Sequence, residues 1–443
     1  MLRGSGDLQN DEVTLYKYLN LLHSLDEFQG RGRVDRGDKK GDDTRYTTKE
    51  LRRSFLDSIS YLCDINPKGG TVTAAAIRKF YCKDGVQGRL YLAANEPILD
   101  RVHHFVERML RDLEDITPKN HGMKKRKLLR ESLDLGRQRL NYYHGKVLFH
   151  LKKCDQDIRI LFRDQEILTW IETIKVETDL QRLSALCYHS REGKLDELKR
   201  KASEHRDIAE LTHYIGRLGA HEYAVSTIIT AYLKVPILRK IKVQILPSAL
   251  VTPINLPAES VNFHTVCQEI SGSPHLRHSG HDLYTMLYNS NFLSGFTLPS
   301  KLVQTSAFVT RVHAELQIVD YFSRKRLEFI EDDKYVGCSK PACYFCHLWI
   351  RLHPGGFEVP ASHKKVILGC RGPDIDVAED VNGNGARIRR DQYKRLTREI
   401  IRDIEEQVHI EQFLNRCQHL SSDGSSRAPK YYDQDFDLQL IKG

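Results

Sequence analysis

The stretches VHAELQIVDYFSR, residues 312–324, and GCSKPACYFC, residues 337–346, decide the reading of this chain. HAE at 313–315 and PACYFC at 341–346 bring one imidazole, one carboxylate and two thiols into a short span of sequence. These are the side chains a hydrolytic zinc site requires. Pro341 suits the first turn of a helix, so the spacing predicts a helix from Pro341 to Leu352 with Cys343 and Cys346 sharing a face near its start. The helix dipole there favours thiolates. Upstream, Val312, Leu316 and Val319 form an apolar stripe. That stripe predicts a helix over 312–324, with Thr310 as its cap and His313 in the first turn.

This pattern names His313, Cys343 and Cys346 as metal ligands and Zn2+ as the cofactor. Two thiolates and a neutral imidazole balance the charge of the dication and leave a fourth position for water, whose pKa a catalytic zinc lowers to about 7. Glu315 is the candidate catalytic residue, because deamination must take a proton from water, protonate a ring nitrogen and finally protonate the departing amine. His363, in the loop before a predicted strand KKVIL at 364–368, is a candidate substrate contact.

Other metal chemistries fit parts of the pattern. Cys338, Cys343 and Cys346 match a C-x4-C-x2-C iron–sulfur spacing with Cys370 available as a fourth ligand. A closed structural zinc site would take its fourth donor from His347, His353, His363 or Cys338, and the chain would then be a metal-stapled interaction protein without catalysis. Against the iron–sulfur reading, it leaves HAE without a purpose. Cys63, Cys187 and Cys267 stand in apolar or helical surroundings and read as packing residues.

HAE, the GCSKPACYFC stretch and SHKKV at 362–366 resemble the deaminase-like family common in filamentous fungi and found in some bacteria, within the cytidine deaminase-like superfamily. The resemblance implies a three-layer α/β/α fold for the C-terminal domain. It also implies action on a cytosine or adenine in a nucleic acid or nucleotide, with His313, Glu315, Cys343 and Cys346 in the superfamily's roles. A toxin-type or defence effector acting on nucleic acid lies within the superfamily's range.

Outward from this core, RLEFI at 326–330 and KYVGCS at 334–339 predict a strand pair, and alternation in Ile241, Val243 and Ile245 predicts another strand. TVTAAAI at 71–77 and RLYLAANE at 89–96 read as two strands around a turn near Asp84 and Gly85, after a helix over 46–65. Leu129, Leu133, Leu140, Val147 and Leu151 predict one long helix from Met123 to about Cys154. The repeats Val176/Leu180/Leu183/Cys187 and Ile208/Leu211/Ile215/Leu218 extend the helical texture. Leu396, Ile400, Ile404 and Val408 mark a last helix. GRGRVDRGDKKGDD at 30–43 is too polar to order itself, and SSDGSSRAPKYYDQDFD reads as a tail that need not pack.

The resulting division is a small mixed α/β region at 1–117, an all-helical region at 118–235, the deaminase-like α/β domain at 236–375 and a helix with tail at 376–443. The helical region is the surface expected to take a protein partner. A length of 443 residues calls for more than one domain. The composition, 40% hydrophobic and 29% charged, is that of a globular protein rather than a fibrous or membrane one. With neither an apolar span of bilayer length nor a signal peptide, the expected address is intracellular, with free thiols rather than disulfides. The net charge of +9 is modest for this length and points only weakly to polyanions. KKRK at 124–127 reads as a solvated helix start without function.

Overall fold

Residues 71–96 form the hairpin their pattern predicts. In the computed structural model, which describes residues 5–29, 47–83, 85–162, 165–201, 205–276, 283–288, 297–375 and 384–420, seven strands are present among the described residues. They are β1 (Thr73–Cys82), β2 (Gly85–Ala94), β3 (Lys242–Ile245), β4 (Thr252–Asn255), β5 (Ala307–Val312), β6 (Gly337–Cys338) and β7 (Cys370–Arg371). The rest of the regular structure is helical, so the chain is mixed α/β.

The described chain falls into two compact units, neither of which is one continuous stretch. Unit 1 contains the described residues within 1–36, 249–316 and 342–428, and unit 2 those within 37–248 and 317–341. The segment 118–235 lies wholly in unit 2, whereas 236–375 is shared between the units.

Unit 2 is built on a sheet of order β3-β2-β1-β6. β1 and β2 pair antiparallel from Thr73 opposite Ala94 to Cys82 opposite Gly85. Gly85 closes the turn at φ 108°, a conformation that disfavours any side chain. β3 runs parallel to β2 and β6 antiparallel to β1. The inner halves of β1 and β2 are buried continuously, the mark of a sheet covered on both faces. Ala75, Ile77, Leu90 and Leu92 join a core with Leu51, Phe55, Ile59 and Leu62 of helix Thr48–Cys63. Tyr91 points the other way, its ring centroid 5.3 Å from Phe322. Helix Thr48–Cys63 starts at a capping box in which Thr47 and Glu50 satisfy each other's backbone N–H groups. The close fit of this helix to β6 depends on Gly337, where a Cβ would stand 2.6 Å from the Leu56 backbone.

Among the described residues, seven helices follow between His121 and Lys234. The long helix expected over 123–154 is two helices, His121–Leu135 and Arg137–Leu161, broken at Gly136. A Cβ on Gly136 would lie 2.8 Å from the His221 ring, so the break sits where another helix presses against the chain. An apolar period does not register such a break, because both pieces keep one buried face.

Unit 1 holds a second sheet, order β4-β5-β7, with β4 antiparallel and β7 parallel to β5. Helix Ser5–Gln29 buries Leu15, Tyr16, Leu19 and Leu22, and helix Asn384–Leu420 buries Tyr393, Leu396, Ile400 and Ile404 along the stripe read from the sequence. Tyr16 donates its hydroxyl to the Cys370 carbonyl at 2.8 Å, and Gln392 donates to the Trp349 carbonyl at 2.7 Å. Both helices thereby fix the segments that carry cysteines. Gly372 has no room for a Cβ, which would approach the Trp349 ring to 2.7 Å.

Several local expectations need correction. Val312 ends β5 rather than starting a helix, and the helix is Ala314–Arg324. Thr310 lies in β5 and donates its hydroxyl to Thr252, so it caps nothing. Pro341 precedes its helix, Tyr344–Leu352, whose N-cap is Cys343. RLEFI and KYVGCS do not pair with each other: Phe329 bridges to Arg78, and Gly337–Cys338 pairs with β1. KKVIL is not a strand, and the short strand follows at Cys370–Arg371. Each error has one cause, since strand partners and exact ends are set by tertiary neighbours. The expected loop at 30–43 and the tail after Leu420 lie outside the described residues.

Candidate metal centre

The site belongs to unit 1, which contains His313, Glu315, Cys343, Cys346 and Cys370. β5 delivers His313 at the point where the strand ends and helix Ala314–Arg324 begins. β7, parallel to β5 with Arg311 opposite Cys370, sets Cys370 beside that junction. Helix Tyr344–Leu352 brings Cys343 at its N-cap and Cys346 in its first turn, with the Cys346 N–H reaching the Cys343 sulfur at 3.5 Å. The approach to this helix is tied down by main-chain bonds: Ala342 N–H to Ala361 at 2.9 Å, Tyr344 N–H to Lys365 at 3.1 Å and His363 N–H to Ala342 at 3.2 Å.

These elements bring four donor atoms together, from His313, Cys343, Cys346 and Cys370, all within 4.8 Å of one another. His313 Nδ1 stands 3.6 Å from Cys343 Sγ and 3.4 Å from Cys346 Sγ, and the sulfurs of Cys346 and Cys370 are 3.4 Å apart. Zinc–sulfur and zinc–nitrogen bonds of about 2.3 and 2.0 Å place tetrahedral ligand atoms roughly 3.6–3.8 Å apart. The donor set therefore fits a tetrahedral ion of zinc's size and softness, and it could hold one.

The electrostatics favour a thiolate in the cluster. Burial opposes the charge on Cys343, yet hydrogen bonds from Cys346 and Cys370 and the neighbouring His313 hold its pKa well below that of an ordinary thiol. Burial pushes Cys346 and Cys370 well up, helped by their bonds to Cys343. By contrast, burial pushes Cys63 and Cys187, the thiols read as packing residues, up to about 12. Burial tends to discharge His313, but Cys343 outweighs it and raises the imidazole pKa.

Glu315 lies beside the cluster rather than in it. Its side chain is 4% exposed, takes a hydrogen bond from Cys346, and has its pKa raised by burial, with Cys343 adding to the rise and His313 opposing it. His363 is close enough to Cys343 and His313 to feel their charge, although burial is the main cause that lowers its pKa. Its Nδ1 accepts the Lys365 N–H at 3.1 Å, which leaves the proton of the neutral ring on Nε2. His347 bonds the Pro360 carbonyl and His353 accepts the Gly355 N–H, and neither joins the donor cluster. Cys338 is likewise outside it, buried in β6. Cys370 entered the sequence reading only as a possible fourth iron–sulfur ligand, and the structure brings it to His313, Cys343 and Cys346. It stands 24 residues beyond Cys346 with no local spacing to tie it to His313, and only the strand pairing does so.

No curated protein and no solved structure matches the chain. Residues 312–374, which contain His313, Glu315, Cys343, Cys346, His363 and Cys370, match the family model described as OTT_1508-like deaminase, so the segment that builds this centre is deaminase-like.

Proposed function

We propose that the chain is a zinc-dependent hydrolytic deaminase that converts an amino-bearing nucleobase, cytosine or adenine in a nucleotide or nucleic acid, to its oxo form with release of ammonia. The observation that carries this reading is the placement of a buried, uncoordinated carboxylate, Glu315, against a tight His/Cys donor set inside a deaminase-like segment. The superfamily's three-layer α/β/α arrangement is the fold this reading expects around the site.

His313, Cys343 and Cys346 would hold the ion. Zinc, when bound, supplies Lewis acidity and water activated near neutral pH. The chain's own residues do the remaining work. Glu315, whose pKa burial raises above the usual carboxylate range, would accept a proton from water and pass it to the ring nitrogen, then take the second proton from the newly added hydroxyl and deliver it to the leaving amine. His363, with its proton on Nε2, would donate to a substrate acceptor. Glu315→Gln keeps the shape and removes the proton carrier. Metal content should stay unchanged while ammonia release falls by about 10²–10⁴-fold, measured over nucleosides, nucleotides and oligonucleotides. Full turnover in this variant would end the mechanism.

A second reading is favoured by Cys370. With its sulfur 3.4 Å from that of Cys346, it supplies a fourth protein donor, and four protein donors are the mark of a closed structural zinc site. The chain would then be a metal-stapled interaction protein. Cobalt substitution separates the two: a visible spectrum unchanged in Cys370→Ser means that Cys370 is not a ligand and the fourth position is open. A loss of about a third of the thiolate charge-transfer intensity, as expected for one of three sulfurs, together with no ammonia release in either form, supports the closed site.

A further inference from the structure

Unit 2 gathers buried cations around Tyr61 and Tyr143. Arg139 is fully buried, stacks 4.4 Å from the Tyr61 ring, and donates Nε to the Tyr143 hydroxyl at 2.7 Å and Nη1 to the main-chain oxygens of Tyr61 and Asp64. Arg217 lies 5.8 Å from the Tyr143 ring, and its carbonyl accepts the Tyr61 hydroxyl. Arg191 is buried against the Tyr188 ring at 5.1 Å and donates Nη2 to the Gly216 carbonyl at 3.1 Å. His221 meets the Tyr61 ring edge-on at 5.3 Å. Lys340, with a side chain 23% exposed, reaches Asp64 at 3.5 Å.

Asp64 answers these charges, but it is already committed. It accepts the hydroxyls of Thr71 at 2.7 Å and Ser339 at 3.1 Å, and the Arg139 Nη2 stands 3.6 Å away, outside hydrogen-bond reach. Glu222, next to His221 in sequence, is paired with Lys125 at 2.6 Å. Arg191 Nε and Nη1, and both ring nitrogens of His221, are buried without a hydrogen-bond partner. A buried guanidinium without a counter-charge is strongly unfavourable, and buried N–H groups demand acceptors. Water would satisfy the hydrogen bonds but not the charge.

We infer that the Arg139, Arg191, Arg217 and His221 cluster of unit 2 binds a tetrahedral phosphoryl anion, with Lys340 at its solvent edge. Guanidinium forks match the oxygens of such an anion, and a neutral imidazole adds one more donor. Two further observations agree with the charge imbalance. Burial draws Arg191 down to about 10 against the opposing pull of Tyr61 and Tyr188. Burial opposes ionisation of Tyr143, yet Arg139 and Arg217 bring its phenol below the usual value, so the cluster favours negative charge.

The test uses the full chain purified in phosphate-free buffer, with phosphorus measured after denaturation and melting followed in inorganic phosphate, in a nucleoside monophosphate and in sodium chloride of equal ionic strength. Release of about one equivalent of phosphorus, or a melting temperature several degrees higher in phosphate than in chloride, supports the site. Stabilisation by the nucleotide without inorganic phosphate assigns the phosphoryl group to a nucleotide. Arg191→Gln should abolish the shift. In case that variant fails to fold, Lys340→Gln at the solvent edge should raise the phosphate concentration needed by about tenfold, as for loss of one charged contact. No phosphorus and no shift from either anion overturns the inference, and so does a shift of equal size in chloride or in the folded Arg191→Gln protein.

Discussion

The candidate metal centre of unit 1 and the cationic cluster of unit 2 solve the same problem, the burial of polar side chains, by opposite routes. At the candidate metal centre the donors are few, close and chemically matched, with the Cys343 pKa held well below the usual thiol range and those of Cys346 and Cys370 pushed well above it. In unit 2 the charges are dispersed over aromatic faces and main-chain oxygens, with Tyr61 and Tyr143 spacing the guanidiniums apart. One arrangement concentrates ligand field at a point, and the other spreads positive potential through a packed interior. Chemistry is expected where the polarity converges, and stability or ligand storage where it is spread.

The largest effect expected from this contrast is at the first region. Cys343→Ser removes the low-pKa thiolate, so bound metal should fall from about one equivalent to near zero, because ligand loss at a thiolate site forfeits much of a binding energy of roughly 10–16 kcal/mol. Elemental analysis checks it, and retained metal would break the assignment. Next, Arg139→Met leaves Asp64 with a weaker set of partners in a dry interior and should destabilise unit 2 by about 3–5 kcal/mol, read by urea unfolding, with metal content unchanged. Loss of metal in this variant would mean that the two regions are not energetically separate.

The smallest effect is a slope with pH. Burial, with help from Arg139, lowers the His221 pKa from 6.5 to about 3, so the folded state refuses a proton that the unfolded state accepts. The sign follows: the contribution is fully present above 6.5 and drains as pH falls toward 3, at about 1.4 kcal/mol per unit. Urea unfolding at pH 7 and pH 5 should differ by about 2 kcal/mol more in the natural chain than in His221→Gln. An equal difference in both would remove His221 from the acid response.

No helix among the described residues is long and apolar enough to cross a membrane, in line with the absence of a hydrophobic run in the sequence. The chemistry at 313–346 was likewise open to reading, since HAE and PACYFC carry their meaning in residue type and short spacing, and the deaminase resemblance follows from the same letters. The hairpin at 71–96, helix Thr48–Cys63 and the final helix were legible because their periods are local. The break at Gly136 was not, because what requires it is the His221 ring, 85 positions away in the chain.

Sequence alone determined which side chains are able to bind a soft metal and which carboxylate accompanies them, because those properties belong to the residues themselves. Tertiary structure alone decided that Cys370 joins His313, through the parallel pairing of β7 with β5, and that Arg139 and His221 meet at the Tyr61 ring while Arg217 and Arg191 lie against Tyr143 and Tyr188. The physical reason is separation along the chain: hydrogen-bond ladders and helix packing close distances that no spacing rule records, and the charge balance of an interior exists only once they are closed.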